Sequence, residues 1–244
     1  GTTFGMSTKR GDGHTGYIPV ESTIPGRAEG NSLVTVTTSG LSGPWVPVLG
    51  NPSEIVFTGA DSAAQKDGLY VDTWANAALT TGPAGTMTYN VRTSFAQPVR
   101  DEDLASLSVV PLSEADKNVP EGLATKVSEI TQNASTALSA ARAIEHYLAN
   151  NGYYMNENTQ FSRPGVRADR LERMLSGDEQ LIGDDQQYSA LMALMLHQLG
   201  MNARVVMGAY PEGGSQGGPA TLHGSDIRAW VEVEFEGGVW AVFD

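Results

Sequence analysis

Three patterns predict an α+β fold, with an antiparallel β-rich N-terminal part followed by a buried helix packed on an antiparallel sheet. Short strand-like runs separated by Gly and Pro recur between residues 33 and 95, and helical periodicity takes over from Leu123. Nearer the C-terminus, Tyr188, Leu191, Met192, Met195 and Leu199 repeat at helical spacing with further apolar residues between them, and alternating segments on either side of Gly237-Gly238 come after. Such patterns are those of a core helix and a β-hairpin. The chain divides accordingly into a β-rich domain over 1–100, a connecting segment over 101–120 and an α+β domain over 121–244.

Up to about residue 27 the sequence is rich in Gly, Thr and Ser and has little periodicity, apart from a candidate strand at 17–20. A loose start is expected. Strand character then recurs at 33–37, 45–49, 54–58, 69–74 and 86–95. In the last of these, Met87, Tyr89, Val91, Thr93 and Phe95 alternate with polar residues, which predicts one inward face. Gly50 with Pro52 and Gly82 with Pro83 punctuate the gaps. Pro98, Asp101, Glu102, Asp103, Pro111 and Pro120 then change the composition, and this change marks the connecting segment.

Helical stripes follow. Leu123, Val127, Ile130 and Ala134 form one, Ala137, Ala141, Ile144 and Leu148 another, and Asn150-Asn151-Gly152 ends the second. A shorter helix over 167–175 turns Leu171, Met174 and Leu175 inward. The core helix over 185–199 starts behind Gly183, Asp184 and Asp185, whose carboxylates suit the free N–H groups and positive dipole end, and stops at Gly200, suited to a left-handed cap. A β-rich run at 201–208 should pack directly on this helix. After a loop containing Gly213, Gly214, Gly217 and Gly218, the strand 228–235 alternates strictly, and 239–244 returns as the second arm of the hairpin.

Gly183, Tyr188-Ser189-Ala190, Ala203-Arg204-Val205-Val206, Gly208, Asp226, Ala229-Trp230, Glu232-Val233 and Trp240 with Phe243-Asp244 stand in one order along this region. In that order they resemble the core of the transglutaminase-like superfamily, whose fold is related to that of papain. The family pattern reads Gly-x-Cys-x-x-Phe/Tyr-Ala/Ser-Ala at the head of a buried helix, then Ala-Arg-Val-Val-x-Gly, then Asp-x-His-Ala-Trp-x-Glu-Val and a final Trp-x-x-Phe-Asp. Upstream, Ala143-Ile144-Glu145-His146-Tyr147-Leu148 and Tyr153-Tyr154 are similar to the segment before the Cys helix in membrane-anchored actinobacterial proteins of this kind. That resemblance implies the extracytoplasmic part of a cell-envelope membrane protein, attached through segments outside this chain. The chain stops on the last motif residue, Asp244, and a piece of a longer protein is expected.

The family's Cys, His and Asp fall here on Asp185, Arg228 and Asp244. In the family a helix N-terminus lowers the thiol pKa, an imidazole takes the proton and an aspartate orients the imidazole. Asp185 is a poor nucleophile toward an amide, and Arg228 stays protonated, so it cannot serve as general base. The resemblance therefore implies an inactive relative that acts as a scaffold or a peptide- or protein-binding module. The alternative is an acyltransferase or peptidase with rearranged chemistry, built on Ser189 or on an Asp185/Asp244 carboxylate pair. Family geometry brings positions 185, 228 and 244 together, so an Asp185–Arg228–Asp244 ion-pair chain is expected, with Tyr154, Gln186, Trp230 and Trp240 as candidate cleft-wall residues.

Composition bounds the remaining choices. A net charge of -13 argues against nucleic acid or an anionic membrane surface as partner, because phosphate contacts need clustered Lys and Arg. With no cysteine, disulfides and thiolate zinc sites are excluded. His14, His146, His197 and His223 are scattered without ligand spacing, so no metal site and no cofactor are expected. The loop glycines lack the Lys-Ser/Thr of a phosphate loop. No window of 18 or more apolar residues is present to span a bilayer.

Overall fold

Met87, Tyr89, Val91 and Thr93 point into one core, as their alternation predicts, and the first of two units is built around them. A computed structural model of the chain describes residues 16–95, 99–155, 165–176, 181–209 and 218–244. It separates into compact units at 1–98 and 99–244. His14, the glycines at 213, 214 and 217, and the N-terminal run up to residue 15 lie outside the described residues.

The first unit contains β1 (Ile18–Pro19), β2 (Ser32–Ser39), β3 (Trp45–Val46), β4 (Asn51–Phe57), helix α1 (Ser62–Asp67), β5 (Leu69–Asp72), β6 (Ala77–Thr80) and β7 (Thr86–Ser94). They form two antiparallel sheets, ordered β1-β5-β6-β3 and β2-β7-β4. Both contribute to a single core that includes Val46, Ile55, Phe57, Leu69, Val71, Met87, Tyr89 and Val91. Burial pushes the Tyr89 phenol well above its usual pKa, and its hydroxyl donates to the Pro47 carbonyl at 2.6 Å. Two expectations shift. The strand expected over 69–74 ends at Asp72, because the Asp72 carboxylate accepts the N–H groups of Trp74 and Ala75, both at 2.9 Å, and folds the chain into a turn. Phe95, expected to point inward, lies past the end of β7 and is exposed.

The second unit holds α2 (Asp101–Leu104), α3 (Leu123–Thr131), α4 (Ala137–Asn151), β8 (Gly152–Tyr154), α5 (Ala168–Leu175), β9 (Leu181–Gly183), α6 (Asp185–Gln198), β10 (Ala203–Gly208), β11 (Arg228–Phe235) and β12 (Val239–Phe243). Strands β10, β11 and β12 form an antiparallel sheet in that order. Its inner face, Ala203, Val231, Val233, Phe235, Ala241 and Phe243, packs with Leu191, Met192, Met195 and Leu196 of α6 in one core that also takes Leu123, Val127, Ile144 and Leu148. Helix α6 ends as Gly200 suggests. Gly200 has φ 76°, its N–H donates to His197, and the Met201 N–H reaches back to Leu196 at 3.1 Å, which is a Schellman cap. Among the described residues no helix is long and apolar enough to cross a membrane.

Residues 101–120, expected to connect the domains, pack within this second unit. Leu104 is fully buried in its core, Val109 bridges to Phe235 and Pro111 to Met201. Acidic and Pro residues masked these pairings, since isolated bridges need no periodic pattern. Asp101 anchors the segment: Nε and Nη2 of Arg142 grip its carboxylate at 3.0 and 2.7 Å, while Nη1 of the same guanidinium holds Glu145 at 2.9 Å and its carbon lies 4.2 Å from the Phe243 ring centre. The hydrogen bond from Arg142 keeps the Asp101 carboxyl below its ordinary pKa of 3.8. A carboxyl depressed in the folded state stabilises fully above the unfolded value and loses that contribution as pH falls through the folded one. The stability difference between the native chain and Arg142→Gln is therefore expected to be largest near neutral pH and to shrink below about pH 4. Thermal melts of both proteins from pH 7 to 3 check this, and a gap that is constant or widens with acid contradicts it.

Candidate functional site

The head of α6 is fixed from both sides. Asp184 is the N-cap, and its carboxylate accepts the Gln187 N–H at 2.9 Å. Just before it, β9 runs parallel to β8, with Tyr154 in register with Gly183. Packing there is close, and at Gly152 a Cβ would also strike the Leu148 carbonyl oxygen at 2.5 Å. A Cβ on Gly152 would lie 2.6 Å from the Tyr188 hydroxyl, and one on Gly183 would meet Met174 at 2.9 Å. The Tyr188 hydroxyl donates to the Leu181 carbonyl and shares its proton with that of Tyr153, 3.2 Å away. Burial raises its pKa, which keeps it a neutral donor.

Beneath this head lies a buried polar pair that the sequence reading did not single out. Gln187 is 1% exposed, and its Nε2 donates to the Gly165 carbonyl at 2.8 Å. Arg170 of α5, 7% exposed, donates to the Ile182 carbonyl at 2.6 Å and to Gln187 Oε1 at 3.4 Å. Both had a sequence signal. Asp184-x-x-Gln187 is a capping-box spacing, and Arg170 shares a helix face with Met174.

Asp185 and the start of β11 are brought together, but not as an ion pair. Asp185 Oδ2 accepts the backbone N–H of Ala229 at 2.7 Å. Ala229 lies beyond the last β11–β12 pairing, Val231 with Phe243, so this N–H has no ladder acceptor from β12 and the carboxylate supplies one. The expected Asp185–Arg228–Asp244 chain does not form. Arg228 is exposed and folds back on its own turn, with Nη1 donating to the carbonyls of Ser225 at 2.8 Å and Ile227 at 3.1 Å. Among the described residues it makes no ion pair with either aspartate. The flexible arginine stem satisfies its fork on nearby carbonyls without giving up hydration. At the third position the Asp244 backbone N–H donates to Glu145 Oε1 at 3.1 Å, which ties the end of β12 to α4 and the Arg142 cluster.

The other candidates divide. Tyr154, 59% exposed, and half-buried Gln186 sit at the head of α6. Trp230 and Trp240 stand on the sheet face turned away from α6 and do not line that helix face. The Trp240 ring lies 3.8 Å from the Arg204 guanidinium carbon, Arg204 pairs with Glu232 at 2.7 Å, and Trp230 Nε1 donates to Glu232 at 3.3 Å. Trp230 also covers Gly208, where a Cβ would come within 2.7 Å of its ring. Ser189, the candidate alternative nucleophile, is 5% exposed in the middle of the helix packing and is closed to substrate. His223 is exposed at the turn before β11, and His197 lies between the Asp116 carboxylate, 2.7 Å, and the Ala203 carbonyl, 2.8 Å. No group of His, Cys, Asp and Glu among the described residues is arranged to hold a metal ion.

Residues 124–244 match the sequence profile of the transglutaminase-like superfamily. Two solved structures of the periplasmic domain of TgpA from Pseudomonas aeruginosa are similar in fold. The one bound to ethylmercury shares 18% identity at a TM-score of 0.52, covering 88% of this chain and 73% of the other, and the second also shares 18% identity at 0.52, covering 89% and 70%. No curated protein matches this chain.

Proposed function

Residues 124–244 belong to the transglutaminase-like superfamily, and from that premise we propose that this domain is an inactive member, a scaffold or peptide-binding module of a cell-envelope membrane protein. The observation that carries the proposal is the state of the two replaced positions. Where the family has a thiol at the helix head, Asp185 spends one carboxylate oxygen on the Ala229 N–H, and where it has an imidazole, Arg228 turns to backbone carbonyls. Neither side chain supplies a nucleophile and base for acyl transfer, and the chain has no cysteine to stand in. A fold of this family without its chemistry is suited to holding an extended polypeptide.

An extracytoplasmic location has separate support. The fold is similar to a periplasmic domain, and the net charge of -13 disfavours nucleic acid and anionic lipid as partners. On this reading, attachment to the membrane runs through segments outside this chain, and no cofactor takes part.

The purified protein is expected neither to transfer amines to glutaminyl peptides nor to cleave peptides. Amine-incorporation and peptide-hydrolysis assays test this. Turnover above background that disappears in Asp185→Ala overturns the proposal.

A further inference from the structure

The register of the C-terminal sheet leaves one side of β10 open. Glu234 uses both backbone groups toward β10 and the segment beside it, its N–H on the Asn202 carbonyl and its carbonyl on the Val110 N–H, each at 2.9 Å. By the alternation of an antiparallel ladder, Arg204, Val206 and Gly208 then face β11 through Glu232, Trp230 and Arg228. Ala203, Val205 and Met207 turn their backbone groups the other way. The Ala203 carbonyl is already taken by His197 Nε2 at 2.8 Å. The outward N–H and C=O groups of Val205 and Met207 have no partner among the described residues. Their side chains lie on the inner face of the sheet, in register with Val231 and Ala229, and are 42% and 41% exposed. Apart from Arg204, which is held by Glu232 and Trp240 on the opposite face, this edge carries neither charge nor proline, and no described residue covers it.

We propose that the β10 edge at Val205 and Met207 is the peptide-docking site of this domain, taking an extended, lysine- or arginine-bearing segment as an added strand. The inference deepens the peptide-binding reading above and rests on it. Main-chain pairing supplies affinity and alternate side chains supply selectivity in this mode. Residues of the incoming strand on the inner face meet Val205 and Met207, so they are apolar. Charge selects the rest. Residues 99–244 carry 10 Lys and Arg against 21 Asp and Glu, a net of -11 out of the chain's -13. Such a field draws in a basic strand and repels an acidic one, and it repels a second copy of the same unit, which disfavours pairing of β10 with itself.

The test uses the 244-residue protein and a fluorescein-labelled hexapeptide of alternating Lys and Val, followed by anisotropy and by amide hydrogen exchange. Binding is expected to slow exchange of the Val205 and Met207 amides at least tenfold and to weaken as salt is raised. Val205→Pro removes an outward N–H without touching the β11 ladder and is expected to weaken binding at least tenfold. Val205→Lys leaves the backbone intact and should weaken it similarly by repulsion, so loss of folding in the proline variant does not decide the result. An alternating Glu and Val hexapeptide should bind at least tenfold more weakly. Equal binding of the two peptides, binding untouched by both variants, or a doubled mass in sedimentation that Val205→Lys abolishes would each overturn the proposal. A peptide that docks at this edge and is then cleaved or cross-linked leaves the site standing and overturns the inactive reading instead.

Discussion

Leu191→Ala is expected to destabilise the second unit by about 3–4 kcal/mol, lowering its Tm by roughly 10 °C. Leu191 is wholly buried in the middle of α6, in the core shared by the helix and the inner face of the β10–β12 sheet. Truncation removes apolar contact and leaves a cavity that close-packed neighbours from a helix and a sheet cannot fill. Leu199 carries the same side chain in the same periodic stripe, yet it is 36% exposed at the C-cap, so Leu199→Ala is expected to cost less than about 1 kcal/mol. Chemical unfolding of the two variants side by side checks the contrast. Equal losses would mean that α6 is not buried as described.

Gln187→Leu is expected to cost about 2–4 kcal/mol although the side-chain volume changes little. The replaced amide serves the Gly165 carbonyl, and its oxygen faces the Arg170 guanidinium, so an apolar side chain leaves buried polar groups short of partners. Coupling separates this from simple mispacking. If the pair acts as a unit, Arg170→Met combined with Gln187→Leu should be less destabilised than the two single variants summed, by about 1–2 kcal/mol. Strict additivity in a double-mutant cycle defeats the idea.

The fold was largely legible because its long elements obey simple periods. The stripe of α4 from Ala141 through Ile144 to Leu148 and the alternation of β7 through Tyr89 describe buried faces directly. Short elements escaped. Strands β8 and β9 have three residues each, too few for a period, and are joined by contacts from Tyr188 that only the folded chain makes. The site was legible in backbone position and not in side-chain direction. Motif order correctly brought position 185 to the start of β11, but a match of residues says nothing of rotamers, and Arg228 had carbonyls closer to hand than a carboxylate. For Trp230 the strict alternation of Arg228-Ala229-Trp230-Val231-Glu232 sets the indole with the charged residues, and the structure keeps it on that face.

The bond between Ala229 and Asp185 also bears on what a cysteine at this position would do. A thiol is a weak acceptor, so Asp185→Cys would leave the Ala229 N–H without its 2.7 Å partner before any nucleophile had been aligned. Hydrogen bonds to charged groups contribute about 1.5–3 kcal/mol, a loss that chemical unfolding of the variant would read directly. Asp185 thus holds the start of β11 as well as standing at the helix head, and Asp185→Cys alone is expected to give a less stable protein with no imidazole at position 228.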